Sequence, residues 1–306
     1  MTSEITLFVN PTAGRGRGAH AAQPAASALR AAGFSVRTVL GENADDALTR
    51  ARAAVADGTG ALIAVGGDGM ANLALQAVAG TSTPLGLVAV GTGNDLARAL
   101  GLPVRDPATA GRRIAAALKG GDLRDIDLGQ AGGRWFGTVL ASGFDSRVND
   151  RGNRMRRPAG RLKYDIAMIA ELAAFKPFPY RLRLDDGEVQ EIEATLVAVG
   201  NGSSYGGGMR ICPGADLTDG LFDITVVGDC SRATLLRVFP SVYRGTHVEH
   251  AKVSVHRAAK VELSTEAGVR GYPPGEHITG YADGEPLGPL PLTARCIPGA
   301  VRVAGL

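Results

Sequence analysis

The apolar positions in the first third of the chain fall in short unbroken runs, Ile5–Val9, Ala61–Val65 and Leu85–Val90. Runs of this length, without polar alternation, predict strands buried on both faces. Each run ends in a Gly-, Asn- or Thr-containing turn that leads towards a helical pattern. Pro24–Ala32, Asp45–Val55, the stretch starting at Leu73 and Thr109–Leu118 are the helix candidates, most of them rich in alanine. Strand and helix in alternation predict an α/β domain built on an open, mostly parallel sheet. The paired glycines of Lys119-Gly120-Gly121-Asp122 end the last of these helices and place a domain boundary at residue 121.

Beyond that point the pattern shortens. Trp135–Ala141, Tyr180–Leu184, Ile192–Val199, Phe222–Val227, Ala251–Val255 and Lys260–Leu263 read as strands, with Asp185-Asp186-Gly187-Glu188 as a hairpin turn. Helical patterns interrupt them near Gly160–Phe175 and Ser231–Tyr243. The expectation for residues 122–299 is a β-rich, sandwich-like second domain. A length of 306 residues accommodates both.

The turns carry the candidate chemistry. They are Asn10-Pro11-Thr12-Ala13-Gly14, Gly66-Gly67-Asp68-Gly69-Met70-Ala71-Asn72, and Gly91-Thr92-Gly93-Asn94-Asp95. In an open parallel sheet such turns gather at the carboxyl edge, where ligands bind. Glycines let backbone N–H groups approach a phosphate. Asp68 sets a carboxylate beside that phosphate, which is repulsive unless a cation lies between them. A nucleotide–magnesium site is the economical reading; taken alone, the Gly-Gly-Asp-Gly turn also fits a tight structural connection.

In this order the Asn-Pro-x-x-Gly, Gly-Gly-Asp-Gly and Gly-Thr-Gly-Asn-Asp turns resemble the catalytic domain of bacterial diacylglycerol kinases and related lipid kinases, among them sphingosine and ceramide kinases. The resemblance continues through Asp125–Gly129, Ser142–Asp145, Gly200-Asn201-Gly202, Tyr205–Met209, Asp216–Leu221 and Asp283-Gly284-Glu285, and so covers nearly the whole chain. It implies an NAD kinase/phosphofructokinase-like first domain, a lipid-substrate second domain, and a tail, 300–306, that returns to the first. It implies ATP as phosphoryl donor and Mg²⁺ as cofactor. Asn10, Pro11, Thr12, Ala13, Gly14, Gly66, Gly67, Asp68, Gly69, Met70, Ala71, Asn72 and Thr92 would form the nucleotide site. Asp68 would hold the metal, Glu285 would act as general base on a lipid hydroxyl, and Asp127 would add charge or a hydrogen bond near the acceptor. Asp216, Asp219 and the Leu221 carbonyl would bind a structural Mg²⁺. Two positions depart from the family pattern: Met70 and Gly41 stand where threonine is frequent.

The expected activity is phosphorylation of a lipid primary hydroxyl, with diacylglycerol as first choice. A phosphatidylglycerol or sphingoid-base kinase, an NAD kinase, and a non-catalytic lipid- or nucleotide-binding module are the alternatives. A net charge of +3 and 5% aromatic residues argue against a nucleic-acid partner. Three scattered cysteines, Cys212, Cys230 and Cys296, suit a reduced cytoplasm. No apolar run approaches the ~20 residues that span a bilayer, so the enzyme would visit an anionic membrane surface peripherally. The basic run Arg147, Arg151, Arg154, Arg156, Arg157, Arg161 and Lys163 is the candidate contact. A symmetric homodimer is the default expectation for assembly.

Overall fold

The computed structural model describes residues 4–9, 13–144, 147, 148, 151, 177–265 and 278–306, without the side chains of 13–19. The Asn10-Pro11-Thr12 turn, the helix expected near 160–175 and most of the basic run, Arg154 to Lys163, lie outside the described residues.

The first half alternates β1 (Glu4–Val9), α1 (Ala13–Ala31), β2 (Ser35–Leu40), α2 (Ala44–Ala56), β3 (Leu62–Gly66), α3 (Asp68–Val78), β4 (Leu85–Ala89), α4 (Asp95–Ala99) and α5 (Pro107–Gly120). Its strands are parallel, β2 beside β1, β1 beside β3 and β3 beside β4. Both faces are covered, as unbroken apolar strands require. Ala47 and Ala51 of α2 and Ala74, Leu75 and Val78 of α3 pack on one face. Ala25 and Leu29 of α1 and Ile114 and Leu118 of α5 pack on the other. Local signals start and stop the helices. The Asn43 side chain accepts the Asp46 N–H at the start of α2, and Asp106 accepts the Thr109 N–H at the start of α5. Gly121, at φ 71°, closes α5 in the left-handed conformation that glycine adopts freely.

The second half is antiparallel and β-rich. Its strands are β5 (Leu123–Ala131), β6 (Arg134–Phe136), β7 (Val139–Gly143), β8 (Phe178–Leu184), β9 (Gln190–Gly200), β10 (Phe222–Gly228), β11 (Val253–Ala258), β12 (Lys260–Thr265), β13 (Thr279–Ala282), β14 (Glu285–Pro289) and β15 (Leu292–Ala304). One helix, α6 (Arg232–Val242), and a short 3-10 turn, Thr246–Glu249, lie between β10 and β11. The main path runs β14-β13-β7-β9-β8-β12-β15 and continues into β4-β3-β1-β2. The link is β15: it pairs antiparallel with β12 and β5, and its last residues, Val303 and Ala304, pair parallel with Leu85 and Gly86 of β4. Phe136 and Phe222 stack in the second core with ring centroids 5.8 Å apart.

The single strand expected over Trp135–Ala141 is two. β6 ends at Phe136 and β7 starts at Val139, because the Gly137 and Thr138 N–H groups leave the ladder to donate to the Asp283 carboxylate at 2.8 and 2.9 Å.

Candidate active site

Two of the Gly-rich turns meet backbone to backbone. β3 and β4 are neighbours, so the turns that follow them emerge side by side, and a Cβ on Gly91 would collide with the Gly67 Cα. The Val90 N–H donates to the Gly66 carbonyl at 2.8 Å. The third turn is braced within itself. Asn94, at φ 58°, accepts the Gly91 N–H through Oδ1 and donates from Nδ2 to the Gly91 carbonyl, both at 2.9 Å.

Asp68 joins the two turns. Its Oδ2 accepts the Asn94 N–H at 2.8 Å and its Oδ1 accepts the Asp95 N–H at 2.6 Å. The carboxylate thus caps the start of α4 while standing at the start of α3, where the helix dipole favours negative charge. A carboxylate has about four acceptor sites, so two amides leave capacity for a cation.

Asp95 is the residue that sequence reasoning passed over. It is 5% exposed, and burial pushes its carboxyl above the usual range, with the adjacent Asp68 charge adding to the rise. Its Oδ2 accepts the Gly207 N–H at 2.8 Å, and its Oδ1 has no hydrogen-bond partner. A buried, unpartnered carboxylate oxygen next to a second carboxylate fits a divalent cation. Asp68 and Asp95 are therefore the residues that would hold Mg²⁺ here. The signal was present in the sequence as an acidic residue at each of two successive helix starts.

The other nucleotide-site candidates have distinct placements. Met70 is buried in the core, and its N–H, like that of Ala71, donates to the Gly67 carbonyl. The phosphate-facing amides expected at Met70 and Ala71 are thus already used, which leaves Asp68 and Gly69 at that helix start. Thr92 is exposed, and Ala13 and Gly14 open α1. Gly41 is fixed by packing: a Cβ there would overlap the Ala47 backbone at the start of α2. A small pocket lies under the turns, lined by Gly66, Gly67, Asp68, Ala71 and Asn94.

The second half reaches this site through the β13–β14 hairpin. Asp283 and Gly284, at φ 51° and 83°, form the two-residue turn that suits right-twisted strands. The Asp283 carboxylate accepts the Gly137 and Thr138 N–H groups, the Thr138 hydroxyl at 2.5 Å and the Asn72 Nδ2 at 3.4 Å. Burial raises its pKa and these donors oppose the rise. Asn72, one turn after Asp68, thereby brings the hairpin to α3, and Glu285 stands exposed just beyond the turn.

Asp127 is 3% exposed, and its oxygens accept the Gly220 and Gly299 N–H groups at 2.7 and 2.8 Å. Its carbonyl and that of Gly137 both accept from the Asn201 Nδ2. This corrects the role expected for Asp127: its carboxylate brackets two loops, and only its backbone carbonyl, through Asn201, is linked to Gly137 beside the hairpin. The expected metal loop is also differently engaged. Asp216 Oδ1 accepts the Thr218 N–H and hydroxyl, Asp219 Oδ1 accepts the Leu221 N–H, and Asp219 Oδ2 pairs with the Arg257 guanidinium. Arg257 also binds Asp223 at 3.1 Å. A metal at Asp219 would have to displace that guanidinium, so the loop as folded does not fit a cation site.

Known proteins match this arrangement from end to end. The family model described as the diacylglycerol kinase catalytic domain matches residues 4–131, and the YegS C-terminal NAD kinase beta sandwich-like domain matches 138–305. A diacylglycerol kinase of Mycobacterium tuberculosis (strain ATCC 25618 / H37Rv) is 45% identical over 305 residues, covering 98% of this chain and 94% of that protein. The chain belongs to the diacylglycerol kinase family. A diacylglycerol kinase of Bacillus subtilis (strain 168) is 29% identical over 286 residues, with 90% and 93% of the two chains covered. A crystal structure of a diacylglycerol kinase from Bacillus anthracis str. Sterne shares the kinase fold at a TM-score of 0.73 and 24% identity, covering 99% of this chain and 97% of that one. An NAD kinase from Archaeoglobus fulgidus in complex with ATP shares it more distantly, at a TM-score of 0.53 and 14% identity over 98% and 92%. The kinase is an ATP-dependent lipid kinase with an NAD kinase-like first half and a β-rich second half. Among the described residues no helix is long and apolar enough to cross a membrane.

Proposed function

We propose that this kinase transfers the γ-phosphoryl group of ATP to the free primary hydroxyl of diacylglycerol, forming phosphatidic acid. The observation that carries this reading is the Asn72–Asp283 contact, which joins the helix of Asp68 to the hairpin of Glu285. The names of the relatives support the choice of acceptor.

Glu285 takes the proton of the lipid hydroxyl as its oxygen bonds to the γ-phosphorus, and the β–γ bridging oxygen leaves with ADP. A base so placed contributes typically ~10²–10⁴-fold. The Asp68 and Gly69 amides orient the phosphates at the start of α3, while Asp68 and Asp95 keep paired acidic oxygens beside them. Mg²⁺ held by these two carboxylates would neutralise charge on the β- and γ-phosphates. Asn94 and Gly91 hold the third turn rigid, so the donor site is formed before the lipid arrives. The enzyme acts peripherally at an anionic membrane surface, since its acceptor resides in the bilayer. Turnover with ATP against a panel of diacylglycerol, phosphatidylglycerol, sphingosine and NAD tests the assignment. Phosphate incorporation into diacylglycerol well above the others is expected; preference for another acceptor would replace it.

A further inference from the structure

α3 carries Asp68, Asn72 and Gln76 at intervals of four residues, and so on one face of the helix. Asp68 reaches the third glycine turn, and Asn72 reaches Asp283. Gln76 reaches β6. Its Oε1 accepts the Trp135 N–H at 2.9 Å, and its Nε2 donates to the Trp135 carbonyl at 2.7 Å. The same Nε2 donates to the Asn72 carbonyl one turn back, at 3.3 Å.

The Gln76 amide does for β6 what a neighbouring strand would do. β6 has three residues and pairs with β5 along one edge. On the other edge Gln76 satisfies both backbone groups of Trp135. A side-chain amide supplies a donor and an acceptor side by side, whereas a carboxylate offers acceptors alone. The chain around this contact lies on the first half. The Trp135 side chain packs against its core, and a Cβ on Gly137 would come within 3.1 Å of Leu75 of α3 and Leu96 of α4. Gly137 and Thr138 then donate to Asp283 at 2.8 and 2.9 Å, and Glu285 is two residues past Asp283. α3 thus holds Asp283 by two routes. The direct one is the Asn72 bond at 3.4 Å, longer than a well-formed hydrogen bond. The route through Gln76 and Trp135 has no bond longer than 2.9 Å.

We propose that Gln76 is a positioning residue for phosphoryl transfer: its amide, through Trp135 and Asp283, sets the distance from the donor turn at Asp68 to Glu285. The inference rests on the reading of Glu285 as the base and adds what fixes its place. Eight residues of helix put Gln76 roughly 12 Å along the axis from Asp68, so it acts through the backbone it holds and not on the reacting atoms. Alignment is what such a residue controls, and a misplacement of about 1 Å costs on the order of a hundredfold in rate.

Two variants separate positioning from folding. Gln76→Met keeps the length of the side chain and removes both bonds to Trp135. Gln76→Glu keeps the bond from the Trp135 N–H and, when ionised, loses the other. Each is made in the wild type and in Glu285→Gln, and single-turnover transfer from ATP to diacylglycerol is measured together with ATP affinity. In the wild-type background transfer should slow about tenfold or more while the Kd for ATP stays within about twofold. In Glu285→Gln the further loss should be less than about threefold, because a misplaced base cannot matter once the base is gone. With Glu285→Gln itself slow, an equal loss in both backgrounds, a loss matched by weaker ATP binding, or no loss would overturn the proposal. If Glu285→Gln turned over like the wild type, the base reading would fall on its own, and the distance would be read directly. Cys212, Cys230 and Cys296 are buried, so nitroxide labels can be directed to Thr49→Cys in α2 and Pro286→Cys in β14, both exposed positions. The distance between the labels should be single and narrow with Gln76 present and shifted or broadened in Gln76→Met; the same distribution in both would overturn the inference.

Discussion

The Asn72 side chain donates to the Asp283 carboxylate at 3.4 Å across 211 residues of sequence, and this contact joins α3 of the first half to the β13–β14 hairpin of the second. Asp283 serves four donors at once, so its replacement removes more than a turn residue. Asp283→Asn turns an NH₂ group towards amides that need an acceptor. It should cost roughly 1–3 kcal/mol in urea unfolding, and Asn72→Ala should cost less because only one long bond is lost. A larger loss for Asn72→Ala than for Asp283→Asn would contradict this order.

Asp68 has two tasks, and its removal should register in both. Asp68→Ala deletes the cap of α4 as well as a metal-facing carboxylate. Turnover should fall by several orders of magnitude, and stability by about 1 kcal/mol as for other lost caps. Loss of activity with no change in melting would show that the bonds to Asn94 and Asp95 carry little of the fold.

Asp95 should show the reverse balance. Its folded pKa is raised, so the folded protein holds the proton more tightly than the unfolded chain. The ionised group therefore weakens the fold above its folded pKa, and that penalty disappears as pH falls to the ordinary carboxylate value near ~3.9. Asp95→Asn keeps an acceptor for Gly207 and removes repulsion with Asp68. The variant should melt higher than the wild type at pH 7, lose that advantage towards pH 4, and have much lower turnover. A variant less stable at pH 7 would contradict the buried-charge account.

The Asp216–Leu221 loop separates two cations. With Arg257 holding Asp219 and the 5%-exposed Asp223, Mg²⁺ without nucleotide should leave the wild-type melting temperature unchanged. Arg257→Ala should melt lower, because it strands the Asp223 carboxylate. A rise with Mg²⁺ in the wild type that is absent from an Asp216→Asn, Asp219→Asn double variant would restore a metal to the loop.

What the sequence made legible follows from burial. β1, β3 and β4 are apolar on both faces and end in glycine turns, so they stood out. β5 did not, because Arg124, Asp125 and Asp127 interrupt its pattern; Asp125 pairs with Arg302 on β15 and Asp127 is bound by the loop amides. β15 was hidden by Pro298 and Gly299, where its register with β5 shifts between Ile297 and Val301. α1 begins at Ala13, well before the expected Pro24, which lies inside the helix and carries no N–H to signal continuation. At the site, the turns and the Asp-Gly hairpin were readable as local motifs. The use of Asp127 as a bracket, of Asp95 as a buried acid bound through one oxygen to Gly207 and of Arg257 as a counter-ion was not, since each depends on a partner far away in sequence.

The central claim is that Glu285 delivers a lipid hydroxyl to ATP in the cleft shared by the two halves. Single-turnover transfer of labelled phosphate from ATP to diacylglycerol, in the wild type and in Glu285→Gln, tests it most directly. The amide keeps the size of the side chain and cannot accept the proton, so the chemical step should slow by ~10²–10⁴-fold while ATP affinity stays within about twofold. Transfer at the wild-type rate in Glu285→Gln, or a collapse of ATP binding in its place, would contradict the account.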